Sequence, residues 1–154
     1  TVGGAADLEL FLFGGARVDL SAARAALQDM QENRCFYCGS AMKQDPHVDH
    51  FIPWSRYPRD LAQNFVLAHN ACNLDKGDML GAPAHLAHWV KRNRESGADL
   101  AARLSPAGFL DDQPAALQVA RWAYRQAEAT EAQLWVSLKY TVNADRRCVE
   151  ILGG

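Results

Sequence analysis

The chain has no run of about 18 or more apolar residues, so no segment is long enough to cross a bilayer as a helix. The longest candidate, Leu8 to Phe13, is far too short and lacks the cationic flank of a secretory signal. A cytoplasmic location is therefore the expectation. An excess of one charge is also missing. The 16 Lys and Arg are set against 18 Asp and Glu, a formal net charge of -2, which argues against a protein that coats nucleic acid. It leaves room for one that meets nucleic acid at a single positive patch. There is no internal repeat and no low-complexity tract, which excludes solenoids and linker-like chains. The first residue is Thr1 rather than Met, and we read the chain as a fragment or a processed form. What remains is 154 residues, 49% hydrophobic and 22% charged, the composition of one soluble globular domain with a real core.

Cysteine is scarce but placed with a pattern. Two of the four, Cys35 and Cys38, form a C-x-x-C, which reads as a metal grip rather than a disulfide in a chain without a secretory signal. Gly39 follows and is free to take a positive φ at that turn. Downstream, His69-Asn-Ala-Cys72 repeats the two-residue spacer. Cys35, Cys38, His69 and Cys72 together make a Cys3His set of the kind that holds structural zinc, closing a long loop that carries something else. Cys148 has no partner at ligand spacing and reads as a buried apolar side chain. All five histidines, His47, His50, His69, His85 and His88, fall between residues 47 and 88, which puts the chemistry in the middle of the chain.

Hydrophobic periodicity organises the rest. Residues 1–19 read as a glycine-rich loop around Leu8–Phe13, a strand or a short helix. A helix runs from Ser21 through Met30 to near Asn33, with Asp19 or Ser21 as its N-cap. Val48–Ile52 reads as a strand stopped by Pro53, and Asn64–His69 as a second, with a loop between them; a helix from Ala71 to Gly81 completes strand, loop, strand, helix. Residues 84–104 form a helix on Leu86, Trp89 and Val90, with Gly97 as a point of interruption. After a turn at Pro106 and Gly108 comes one long amphipathic helix through Ala116, Ala120, Ala127 and Leu134. The expected divisions of this single domain are a lead segment and helix (1–34), a core (35–80) and a helical extension packed on it (81–154).

Within the zinc-closed loop stand Val48-Asp49-His50-Phe51-Ile52-Pro53, then Asn64, then Cys72-Asn73-Leu-Asp-Lys76-Gly77-Asp78. This succession resembles the HNH endonuclease family over roughly a third of the chain. The resemblance implies an α+β fold: a small ββα-metal core with a structural zinc, flanked by an N-terminal helix and a helical C-terminal half. It also implies cleavage of DNA phosphodiester bonds to 5′-phosphate and 3′-OH ends, with RNA not excluded as substrate. His50 would activate water, Asn64 would orient that histidine, and Asp49 with Asn73 would hold Mg²⁺ or Mn²⁺, hard ions suited to oxygen donors. The family's last motif histidine is replaced here by Asn73, whose carbonyl oxygen also suits Mg²⁺. Lys76 would contact phosphate or be a solvated helix lysine. His47 is either a further ligand or an exposed loop histidine. Asp75 and Asp78 read as helix-surface charges, His85 and His88 as helix packing.

Arg56 and Arg59 alternate with Trp54 and Tyr57 in the inter-strand loop. They would carry phosphate contacts with a stacking aromatic, or else be solvated or paired with Asp60 above a packed Trp54 and Tyr57. Lys91, Arg92 and Arg94 either extend a DNA track or are a charged helix end. No residue reads a base sequence, so specificity would come from a homodimer, an upstream domain or a partner protein. Restriction of, or defence against, foreign DNA is the expected role. The alternatives are a zinc-stabilised nucleic-acid-binding module without hydrolysis and the nuclease domain of a secreted toxin.

Overall fold

The computed structural model describes residues 20–53, 55–56 and 59–153. The expectations for Leu8–Phe13, the Asp19 cap, Trp54 and Tyr57 lie outside the described residues. The first helix, α1 (Leu20–Met30), buries Ala23 and Leu27, one turn apart. It ends where Glu32 and Asn33 take left-handed backbone conformations. Gln31, just past its end, acts like an extra strand rung: its side-chain oxygen accepts from Leu67 N and its amide donates to Leu67 O, both at 2.9 Å.

Strand β1 (His47–His50) pairs antiparallel with β2 (Phe65–Ala68), Asp49 opposite Val66 and His50 opposite Phe65. Both are shorter than expected. Asn64 falls in a 3-10 turn (Ala62–Asn64) and uses its side chain on the backbone of Ile52, so the ladder stops at His50. Helix α2 (Asn70–Lys76) follows directly and ends earlier than expected, at Gly77 with φ of 53°, where a side chain would be strained.

Helix α3 (Pro83–Leu104) is continuous, with Pro83 in its first turn. Gly97 does not interrupt it, because it is a packing residue: a Cβ there would come within 2.8 Å of the Gln113 side-chain oxygen. Trp89 on this helix stacks on Phe51 at 5.0 Å, which seats α3 against the turn after β1. Helix α4 (Gln113–Ala129) is capped by Asp112 accepting from Ala115 N and buries Ala116, Ala120, Ala123, Tyr124 and Ala127.

The continuation of α4 to Leu134 is a correction. Thr130 closes the helix and Glu131 turns left-handed; Leu134 belongs to strand β3 (Gln133–Ser137), paired antiparallel with β4 (Tyr140–Asn143). The hairpin docks on the core through Trp135, whose backbone bonds Leu80 and Ala82 and whose indole donates to Asp75 at 2.8 Å. Asp75 also accepts from Lys139 N, so it is a clamp rather than a free surface charge. A last helix, α5 (Arg146–Ile151), buries Cys148 as expected. Among the described residues no helix is long and apolar enough to cross a membrane.

Candidate active site

The turn after α1 and the junction of β2 with α2 bring Cys35, Cys38, His69 and Cys72 together, their ligand atoms all within 4.8 Å of one another. Four atoms on a tetrahedron around Zn²⁺ would lie roughly 3.5–4 Å apart given Zn–S of about 2.3 Å, so the set fits that ion. His69 Nδ1 faces Cys38 Sγ at 3.3 Å while Nε2 donates to the Ala41 carbonyl at 3.1 Å. That second bond leaves the lone pair on Nδ1, the tautomer a ligand needs. Burial pushes the Cys38 thiol up, but hydrogen bonds from the Ser40 amide and hydroxyl outweigh it and bring the thiol down to about 7. Cys72 is pushed up to about 12 by burial and by the neighbouring Cys35 and Cys38. Crowded thiolates of this kind are relieved when a cation neutralises them.

On β1, side chains alternate. His47 and Asp49 face α2. Asn73 Nδ2 donates to His47 Nδ1 at 3.4 Å, so His47 is a half-buried strand residue beside Asn73 rather than a loop histidine. Asp49 Oδ2 accepts from the Tyr37 hydroxyl at 2.6 Å and lies 3.5 Å from Lys76 Nζ. Burial, then the charge of Asp49, keeps the Tyr37 phenol well above its ordinary value and therefore protonated.

Lys76 departs from expectation. Its side chain is 0% exposed, so it cannot meet a phosphate. It lies instead beside the Tyr37 ring, 5.8 Å from the centroid, with Nζ making no hydrogen bond. Burial pulls its pKa below the usual lysine range, and Asp49 opposes that shift. The physical reason is its position one turn after Asn73 on a helix whose inner face is covered by β1 and the hairpin.

His50, the last residue of β1, is 22% exposed along its side chain, and its ring lies 4.6 Å from Phe65. Its Nε2 is 3.2 Å from Oδ1 of the buried Asp60. An ionised carboxylate only accepts, so Nε2–H donates and the imidazole lone pair is on Nδ1. Asn64 meets neither group directly: its oxygen accepts from Ile52 N at 2.8 Å and its amide donates to Ile52 O at 2.9 Å. It fixes the turn immediately beyond His50. Asp60 and Tyr37 are the site residues that sequence reasoning missed. Tyr37 read as a spacer inside the C-x-x-C, and Asp60 as a partner for loop arginines.

Arg59 is exposed and Arg56 half-buried, and neither forms an ion pair among the described residues. In the second basic cluster Lys91 and Arg94 are exposed, but Arg92 donates to the Gln63 carbonyl at 2.9 Å and burial brings its pKa down to about 10. Arg92 is thus a structural tie to the inter-strand loop. His85 donates to Val136 O at 2.7 Å and His88 stacks on Phe36 at 4.1 Å, both packing roles. A cleft of about 670 Å³ lined by Lys43, Gln44, His47, His69 and Asn70 opens on the α2 side of β1.

The antiparallel pair, the following helix and the Cys3His set define a zinc-knuckle ββα module. Residues 35–79 match the family described as HNH endonuclease, and this segment is an HNH domain. Nucleic acid is the substrate class that such a domain implies. No curated protein and no solved structure matches the chain.

Proposed function

We propose that the chain is a metal-dependent HNH endonuclease that hydrolyses DNA phosphodiester bonds, leaving 5′-phosphate and 3′-OH ends. The observation that carries this reading is the half-exposed His50 whose Nε2 is held by buried Asp60, one residue from Asp49, inside the HNH segment. With Nε2–H committed to Asp60, Nδ1 takes the proton from the attacking water, and Asp60 stabilises the imidazolium that results. Asn64 keeps the His50 turn from drifting. Asp49 and Asn73, with His47 beside them, are the donors for Mg²⁺ or Mn²⁺, and their oxygens suit a hard ion. Such an ion supplies charge neutralisation for the phosphate and for the departing 3′ oxygen. Lys43 in the adjacent cleft and exposed Arg59 are the side chains available to the DNA backbone. Specificity then comes from a second copy, another domain or a partner, and the role served is restriction of, or defence against, foreign DNA.

Incubation of supercoiled plasmid and single-stranded substrates with Mg²⁺ or Mn²⁺, with and without EDTA, tests the proposal. Cleavage should require the ion, and His50→Ala should lower the rate by about 10² to 10⁴-fold while keeping its zinc. Absence of cleavage under every divalent metal, with DNA binding retained, would establish the non-catalytic binding module instead.

A further inference from the structure

Resting on the reading of Asp49 as a ligand of the hard cation, we infer that Tyr37 is the positioning residue through which the zinc-binding turn sets that ligand. Its hydroxyl donates to Asp49 Oδ2 at 2.6 Å, so Oδ1 would be the oxygen left for the cation.

Tyr37 lies between two of the four zinc-ligand residues, in a turn closed by Gly39 N donating to Cys35 O at 2.9 Å. Its backbone therefore cannot shift without moving a thiol. Its ring is boxed edge-on by Phe36, His85 and Trp135 at 5.4, 5.1 and 5.2 Å. A phenol fixed along its whole length has one place for its hydroxyl, and Asp49 occupies that place. The Lys76 ammonium approaches the same oxygen. Among the described residues Oδ1 receives no hydrogen bond, so the two oxygens of Asp49 are inequivalent before any ion arrives.

The direction of the effect follows from the competition around Asp49. A hydrogen-bond donor on a carboxylate lowers its basicity and by itself would weaken an ion's grip. Removing the hydroxyl, however, leaves the buried ammonium as the only partner, free to draw both oxygens toward itself. A buried side-chain nitrogen with no hydrogen-bond partner among the described residues is a strong rival for the carboxylate 3.5 Å away. Tyr37 thus keeps the carboxylate divided between the two cations. Zinc, through the turn, becomes a setter of the second metal's affinity.

Tyr37→Phe retains the ring and its packing and deletes only the hydroxyl. Zinc content by elemental analysis, Mn²⁺ affinity by titration calorimetry and the Mg²⁺ dependence of cleavage are measured beside wild type and Asp49→Asn. The expected result is full zinc content and Mn²⁺ binding weakened by about 10-fold to 100-fold. The Mg²⁺ needed for half-maximal cleavage should rise in step, while the rate at saturating Mg²⁺ is largely kept. If Asp49→Asn binds Mn²⁺ as wild type does, Asp49 is not the ligand and the underlying reading fails. If Asp49→Asn loses Mn²⁺ while Tyr37→Phe binds it with wild-type affinity, the site stands and the inference about Tyr37 is overturned. Loss of zinc from Tyr37→Phe would also overturn it, because the hydroxyl would then serve the knuckle and not the carboxylate.

Discussion

In residues 35–79 the regular elements are two strands of four residues and a helix of seven, whereas the stretch that follows contains helices of 22 and 17 residues. Elements as short as the first set have little stability of their own. Besides the buried apolar run Phe65–Ala68, they are held by point contacts: the Cys3His cluster, Gln31 on Leu67 and Asn64 on Ile52. The helical region is held by area, through Leu86, Trp89, Leu100 and Leu104 on α3 and a stripe of alanines on α4. The comparison separates a part whose order depends on specific atoms as well as apolar burial from one whose order depends on apolar surface alone. The first is the segment that matches the HNH endonuclease family.

Three substitutions probe that division. Cys72→Ser should have the largest effect. Structural zinc contributes an apparent free energy of about 10–16 kcal/mol, as much as the whole stability of a typical domain, about 5–15 kcal/mol. The variant is expected to lose its zinc and the near-ultraviolet circular dichroism of the aromatic residues around Tyr37. Acid should imitate it in the wild-type protein. Protons compete with the ion for the thiolates, so zinc release, followed with a chromogenic chelator, should grow as the solution is acidified. A C72S protein that melts like wild type would show that apolar packing holds both regions.

Trp89→Ala comes next. It removes a fully buried ring, the stack on Phe51 and the indole bond to Gln63 O. The expected loss is about 3–5 kcal/mol, a fall in Tm on the order of 10 °C, with zinc content unchanged below the transition. Gly97→Ala should be the smallest. A gain in helix propensity of about 1 kcal/mol is offset by crowding against the mobile end of Gln113. Denaturant unfolding should find it within about 1 kcal/mol of wild type.

The same division governs how much was legible in the sequence. The Cys3His cluster could be read because thiol and imidazole spacing is itself the chemistry of a metal grip, and the ββα order could be read from short apolar runs and breakers. Element ends were misplaced where a side chain replaced the ladder, as Asn64 does at Ile52. The β3–β4 hairpin was hidden because Leu134 continues the spacing of the α4 alanines; the signals against it were Thr130 and the alternation of Gln133-Leu-Trp-Val-Ser. Lys76 was read as a surface residue because helical spacing does not show that a distant hairpin will cover it. Asp60 and Tyr37 carry no periodic signature. Their roles arise only when an irregular loop folds back on His50 and when a spacer in a metal turn reaches across to a strand.

Helix α2 offers a last consequence. Within two turns it delivers Cys72 to the thiol cluster, Asn73 to His47, Asp75 to the hairpin and Lys76 to Asp49. Each residue along a helix rotates the next by about 100°, so inserting or deleting a single amino acid between His69 and Cys72 would misdirect all four at once, and one further on would split them. Lineages of this protein should therefore record almost no gaps in that helix.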